Sequence, residues 1–120
     1  MKLRTRVVAL GLAVAAFVAP LAPALADTSH TSTIAQLMVI EPGDKNYKSF
    51  HGAVWLEQDK ATTNYRWGGA HCAGRDISGN TIQLLFAALR SGDQVSIEYV
   101  VSDLKGKPYR CLTAVTFTKS

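Results

Sequence analysis

Residues 80–102, NTIQLLFAALRSGDQVSIEYVVS, contain a switch from helical to strand periodicity that decides the fold. The first half places apolar side chains at helical spacing, i, i+3, i+4 and i+7, namely Ile82, Leu85, Phe86 and Leu89. The second half alternates, with Val95, Ile97, Tyr99 and Val101 on one side. We therefore expect one amphipathic helix followed directly by a half-buried strand.

The ends of this helix carry capping signals. Asn80 can cap the first turn, and Gln83 follows three residues later as in a capping box. Gly92 supplies the expected stop after Arg90. The pattern predicts a helix over about residues 81–91.

Short β-favouring segments lie on both sides of the helix. The predicted strands are residues 33–41, 49–58, 64–72, 94–102 and 109–118, and the Gly68-Gly69 pair suggests a bulge in the third. The sequence thus predicts a mainly β domain with one helix, in the order β-β-β-α-β-β.

This element order resembles that of the OB-fold, a small five-stranded barrel that binds oligonucleotides or oligosaccharides. Among exported members with a disulfide, the chain is similar in size, signal peptide and single helix to the glycan-binding B subunits of bacterial AB5 toxins. The resemblance lies in architecture, so no residue role is transferred by it. It implies an OB-like barrel, a glycan ligand and a homo-oligomer.

The N-terminus reads as a cleavable secretory signal peptide spanning residues 1–26. Lys2, Arg4 and Arg6 precede an apolar run, which ends in the small-residue tripeptide 24–26, Ala-Leu-Ala. The run is shorter than the ~20 residues of a membrane-spanning helix, which argues against a stable anchor. We expect export to the periplasm or the extracellular space, a flexible leader at 27–32 and a single domain at 33–120.

Removal of the signal peptide changes the charge of the molecule. Three of the thirteen Lys and Arg residues leave with it, so ten remain against nine Asp and Glu, a net charge of +1. A nearly neutral domain lacks the basic surface that nucleic-acid binding requires. We therefore expect a glycan or protein partner and no nucleic acid.

Cys72 and Cys111 are the two cysteines of the sequence. In an oxidising compartment they are expected to form one disulfide, because neither belongs to a Cys-x-x-Cys motif or a metal-ligand pattern. Such a bond would stabilise a small domain by about 4 kcal/mol. No metal or other cofactor is expected.

Aromatic and imidazole side chains are concentrated in the second and third predicted strands, which form the ligand face of an OB-fold. If Gln58 faces Asn64 at the turn, three cross-strand pairs share one outer face: Trp55 with Trp67, His51 with His71, and Glu57 with Tyr65. That register places Cys72 with the interior residues and leaves an aromatic stripe for a sugar ring.

A second register stays open. It places Trp67 opposite Val54 in the core, while Arg66 stacks on Trp55 outside. Adjoining loops add cationic donors for an acidic glycan, Lys48 and Lys107 among them. The predicted ligand-binding residues are His51, Trp55, Tyr65, Arg66, Trp67, His71, Lys48 and Lys107.

Three classes of function fit these features. A non-catalytic binding protein is favoured, because the sequence has no Gly-x-Ser-x-Gly and no histidine-metal motif. One alternative is a protein-interaction or inhibitor module, which the same exposed aromatic residues would serve. The other is a small secreted hydrolase that uses His51 and His71 as an acid and base pair.

Overall fold

The structure is a computed structural model that describes residues 26–119. It is mainly β, as predicted, with one α-helix and one short 3-10 helix (Lys45–Lys48). The strands are β1 (Asp27–Thr28), β2 (Ser32–Val39), β3 (Gly52–Leu56), β4 (Tyr65–Trp67), β5 (Gln94–Leu104) and β6 (Lys107–Thr118), and helix α1 spans Gly79–Ser91 between β4 and β5. The predicted signal peptide lies almost entirely outside the described residues.

The six strands form one sheet in the order β1-β5-β2-β3-β4-β6. Strand β6 also pairs with β5, so that β2, β3, β4, β6 and β5 partly close into a ring. The β4–β6 contact is parallel and consists of the Arg66–Cys111 pair, whereas the other pairings are antiparallel. This connectivity confirms the predicted small OB-like barrel.

The segment predicted as a flexible leader contributes a strand. Asp27 and Thr28 pair with Tyr99 and Glu98 of β5. Next to them, Ser29 donates its backbone N–H to the Ile97 carbonyl (2.7 Å), and its hydroxyl oxygen accepts from the Ile97 N–H (2.8 Å). Strand β1 therefore extends the sheet beyond the five predicted strands because it satisfies an edge of β5.

Helix α1 packs onto the barrel through the buried Leu85 and Ala88. Its N-cap is Ser78 rather than the predicted Asn80, because the Ser78 hydroxyl accepts from the Thr81 N–H. Gly92 ends the helix in the left-handed conformation, as expected. The core beneath it comprises Ile34, Val54, Leu56, Tyr65, Leu85, Ala88, Val95, Ile97 and Leu112.

The register between β3 and β4 differs from both predicted registers. Gly52 faces Trp67, Ala53 faces Arg66 and Val54 faces Tyr65. A Cβ atom at Gly52 would lie 2.1 Å from the Trp67 indole, so the ring fills the space that the glycine leaves. This fit of a large ring against a glycine favours the observed register, and the predicted Trp55–Trp67, His51–His71 and Glu57–Tyr65 pairs do not form.

The third predicted strand, 64–72, is shorter than expected. Strand β4 ends at Trp67, and Gly68 and Gly69 have φ of +72° and +69°, which starts a tight turn instead of a bulge. The following segment, residues 68–78, is called the disulfide loop here because Cys72 bonds to Cys111 of β6 with a Cα–Cα distance of 5.5 Å. This bond confirms the predicted disulfide.

Candidate binding face

The predicted site residues lie in three different environments. Trp67 and Tyr65 are each 1% exposed and face the barrel interior, so they cannot form an outer aromatic stripe. Arg66, which lies between them on β4, necessarily points to the outer side. His51 and His71 belong to two separate clusters, and the side chains of Lys48 and Lys107 are exposed.

The outer side of β4 carries a compact group of four side chains: Phe50, Arg66, His71 and Tyr109. We call it the Arg66 cluster. The guanidinium carbon of Arg66 lies 4.1 Å from the centre of the Phe50 ring and 4.9 Å from that of Tyr109. The His71 imidazole is nearly parallel to both rings, with centroids 3.9 Å from Tyr109 and 5.5 Å from Phe50.

Two hydrogen bonds fix the guanidinium within this cluster. Arg66 donates from Nη1 to His71 Nδ1 (2.7 Å) and from Nε to Asn64 Oδ1 (3.0 Å). Both aromatic rings therefore stack against a hydrogen-bonded arginine–histidine pair. An arginine held at this many points loses little further freedom when it binds a ligand.

The backbone brings these residues together from three elements. The disulfide joins Cys72 to Cys111, which places His71 on one side of the bond near Tyr109 on the other. The β2–β3 connection is held to the disulfide loop by hydrogen bonds from Ala70 N–H to the Lys48 carbonyl and from His71 N–H to the Ser49 carbonyl (2.9 Å each). Phe50 belongs to this connection and therefore lies beside His71.

The disulfide itself is buried, with Cys72 and Cys111 1% and 0% exposed. Cys111 is the sheet partner of Arg66, and partners in a parallel pair point to the same side. The predicted burial of the disulfide is therefore confirmed, but the predicted grouping of Cys72 with Val54 and Leu56 is not, because neither cysteine belongs to the core cluster that contains those two residues. The bond lies on the outer side of the barrel wall, directly beside the Arg66 cluster.

Electrostatics in the cluster favour a charged arginine beside a neutral histidine. Burial lowers the pKa of Arg66 from its ordinary value, and the Tyr109 phenol opposes this shift. Burial and then the charge of Arg66 lower the pKa of His71. At neutral pH the His71 Nδ1 atom is thus unprotonated and accepts from the guanidinium.

A cavity of about 170 Å³ adjoins the cluster. It is lined by Thr62, Thr63, Asn64, Arg66, Pro108, Tyr109 and Arg110. Arg110 donates to the Tyr65 hydroxyl (3.4 Å) and lies over the ring of Tyr99, with 5.1 Å between the guanidinium carbon and the ring centre. Two arginines and no carboxylate thus line the same space.

Trp55 is the one predicted tryptophan on this outer face. It lies two residues after Ala53, the partner of Arg66, and therefore on the same side of β3. Its indole Nε1 donates to the Ala61 carbonyl (2.9 Å), and the ring is half-buried. Trp55 thus borders the face as a fixed ring rather than as half of a tryptophan pair.

His51 occupies the second cluster, on the other side of the disulfide loop. Its Nδ1 atom lies 3.0 Å from Asp76 Oδ2, and its ring stacks on Tyr47 with centroids 3.8 Å apart. These side chains line a cleft of about 230 Å³ with Ile40, Ile77 and Trp67 among its walls. The predicted acid–base pair of His51 with His71 is therefore not formed.

Sequence reasoning missed four contributors, Phe50, Tyr109, Arg110 and Asp76. The signal for Tyr109 and Arg110 was present, because a Cys72–Cys111 bond brings the residues that directly precede Cys111 close to His71. Phe50 depends on how the β2–β3 connection folds back, which the sequence pattern does not encode. Asp76 accepts from the Ile77 N–H, as a turn residue does, and it also bonds to His51.

Comparison with protein-family models, curated proteins and solved structures finds no match for this chain. Between residues 26 and 119, no helix is long and apolar enough to cross a membrane. Within the same part of the chain, no group of three or more His, Cys, Asp or Glu side chains is arranged to hold a metal ion. The geometry of the two clusters is therefore what indicates a function.

Proposed function

We propose that the chain is an exported, non-catalytic binding protein that recognises a glycan on the outer face of β3 and β4. The observation that carries this proposal is the Arg66 cluster, in which a guanidinium is fixed between two aromatic rings. It lies where OB-folds bind their ligands, on the second and third barrel strands beside the loops after the first and fourth. Strands β3 and β4 hold those positions here.

The chemistry of the face suits a sugar. Apolar faces of a pyranose ring pack on aromatic side chains, and Tyr109 and Trp55 border the face as half-buried rings. Hydroxyl groups need directed donors and acceptors, which Arg66, Asn64 and the threonines of the adjoining cavity provide. Because hydrogen bonds and stacking already hold Arg66 and Trp55, little conformational entropy is lost on binding.

A glycan array followed by calorimetry on each hit tests this proposal. We expect Tyr109→Ala and Arg66→Gln to weaken glycan binding at least about tenfold, since each removes a stacking surface or a fork of donors. Arg75→Gln is the matched control, because Arg75 is an exposed arginine of the disulfide loop outside the cluster. Far-ultraviolet circular dichroism verifies that every variant is folded.

The proposal fails if no glycan binds, or if binding survives unchanged in both cluster variants. A protein captured through the same face, with loss of capture in Tyr109→Ala, would favour the interaction-module alternative instead. Size-exclusion chromatography of the free protein tests separately for a homo-oligomer.

Hydrolysis is a second candidate function, and the His51–Asp76 pair is the observation that favours it. If Asp76 accepts from the Nδ1–H of His51, the Nε2 atom is left as a base for a water molecule in the adjoining cleft. We expect His51→Gln to abolish any esterase activity that the protein shows on nitrophenyl esters, with His30→Gln as the control histidine. No activity above the buffer rate would exclude this function for such esters.

A further inference from the structure

We infer that the cavity between Arg66 and Arg110 holds an anionic group of the glycan, a carboxylate or a sulfate ester. This inference rests on the proposed function and narrows its ligand to acidic sugars. The two arginines approach the cavity from different elements, β4 and β6, and both line it together with Tyr109.

The donors at this cavity are only partly used. Arg66 uses Nε and one hydrogen of Nη1 within the protein, and in the described part of the chain its Nη2 amino group has no hydrogen-bond partner. Arg110 has a single long hydrogen bond, to the Tyr65 hydroxyl. Thr62 and Thr63 add hydroxyl donors at the rim. A guanidinium with two free N–H groups matches the two oxygens of a carboxylate.

The charge of the two arginines is not neutralised within the protein. Neither Arg66 nor Arg110 forms an ion pair with a carboxylate in residues 26–119. Two acidic groups lie near these arginines in the chain or the sheet. Asp59 lies 3.8 Å from His30 through Oδ1, its buried Oδ2 has no hydrogen-bond partner in the described residues, and its charge adds to burial in raising the pKa of Tyr65, while Asp103 is the exposed strand partner of Pro108. A partly buried guanidinium lacks a counter-charge, and a bound anion supplies it. Anion binding at this cavity is therefore expected to lower the free energy of the molecule.

The size of the cavity limits what it can hold. At about 170 Å³ it is smaller than the 300–1,000 Å³ of most small-molecule sites. It therefore suits one charged substituent of a sugar, while the ring itself would rest on the open face beside Tyr109. A neutral glycan would leave the arginine donors without ligand contacts.

Calorimetric titration with matched small sugars tests this assignment. The probes are methyl β-D-glucuronide, its neutral counterpart methyl β-D-glucoside, glucose 6-sulfate and inorganic sulfate. We expect the glucuronide or the sulfated sugar to bind at least about tenfold more tightly than the glucoside. Raising the salt concentration from about 0.05 M to about 0.5 M should weaken only the acidic sugars.

Arg110→Gln separates the acidic contact from the rest of the site. It should reduce affinity for the acidic sugar about tenfold more than affinity for the glucoside, and Arg75→Gln should change neither. Arg110→Lys retains the charge and gives a second variant if the glutamine substitution unfolds the protein. The salt series on the unaltered protein needs no variant.

The outcomes distinguish the two proposals. Equal affinity for glucoside and glucuronide, without a salt effect, overturns the anionic cavity and leaves glycan binding intact. Binding of inorganic sulfate with no sugar binding identifies an anion site and contradicts the proposed glycan function. No binding of any probe contradicts both.

Discussion

Gly68 occupies a position where backbone conformation and the available space both exclude a side chain. Its φ is +72°, and a Cβ atom there would lie 2.2 Å from Nδ1 of His51. Gly74 has nearly the same φ, +73°, but no atom lies within 4 Å of its ideal Cβ position. Substitutions at these two glycines therefore distinguish the free-energy cost of a left-handed backbone from the additional cost of a steric clash.

We expect Gly74→Ala to lower the free energy of unfolding by about 1 kcal/mol, the cost of a left-handed alanine. Gly68→Ala should lower it by about 3 kcal/mol, because the His51 ring must also move and its bond to Asp76 is disturbed. Urea denaturation of both variants measures the difference. Equal losses would show that His51 is not packed tightly against the turn.

His71 makes the stability of the domain depend on pH. Its folded pKa is lower than the ordinary value of about 6.5, first because of burial and then because of Arg66. As the pH falls through about 6.5 toward the lower folded pKa, His71 of the unfolded chain takes up a proton that the folded chain does not. The free energy of unfolding therefore decreases as the pH falls. The groups that face the imidazole are Arg66 from β4, Tyr109 from β6 and Phe50 from the β2–β3 connection.

His71→Asn tests this dependence, because an amide oxygen can accept from Arg66 without titrating. We expect the variant to lose less stability than the natural protein between about pH 7 and pH 5. Denaturation midpoints across this range, with His30→Asn as the control histidine, provide the measurement. Parallel pH curves for the natural protein and His71→Asn would contradict the prediction.

At the scale of elements, the disulfide loop connects the barrel wall to the candidate binding face. The Cys72–Cys111 bond spans 39 residues of sequence, and it holds His71 against Tyr109. A Cys72→Ala/Cys111→Ala variant should lose about 4 kcal/mol of unfolding free energy, since the unfolded chain regains its loop entropy. Urea denaturation measures this loss.

Removal of the bond should also release the imidazole from its stack. We expect the His71 ring protons to move toward random-coil chemical shifts in the NMR spectrum of the variant at a temperature where it is still folded. Reduced natural protein is the second sample, because it retains both sulfurs. Unchanged His71 shifts in both samples would show that the Arg66 cluster forms without the disulfide.

The elements were predictable where one periodicity dominates. The helix and the strand after it were found from residues 80–102, because their apolar positions follow spacings of 3.6 and 2. The β3–β4 register was not, since it depends on the packing of Trp67 over Gly52 and on a left-handed Gln58 after β3. The packing of one tryptophan over one glycine leaves no periodic pattern in the sequence. A register shift of one or a few residues between the strands changes which side chains face each other.

The candidate site was predictable only in part for the same reason. Arg66 and His71 were identified because both lie in the predicted third strand, 64–72, which belongs to the ligand face of an OB-fold. Their partners Phe50 and Tyr109 come from distant segments. Barrel closure between β4 and β6 brings Tyr109 to them through the Arg66–Cys111 pair. Contacts made by closure depend on the tertiary fold and not on local pattern.

At the scale of the whole molecule, the N-terminal boundary of the domain can be tested directly. Strand β1 begins at Asp27, immediately after the Ala-Leu-Ala tripeptide at 24–26, and pairs with β5. We expect a full-length chain expressed in a bacterium with a periplasm to be cleaved after Ala26, because small residues occupy the two positions that the signal peptidase reads. Export also exposes both cysteines to an oxidising compartment.

Intact-mass spectrometry of the periplasmic fraction measures both events. The expected mass is that of residues 27–120 without the two thiol hydrogens. This species has a formal net charge of +1 at pH 7, because Lys2, Arg4 and Arg6 have been removed. An Ala26→Pro precursor, which blocks cleavage, is the matched control and should remain in the membrane fraction. A full-length chain in the cytosol with reduced cysteines would contradict export, and with it the expectation that the ligand is an extracytoplasmic glycan.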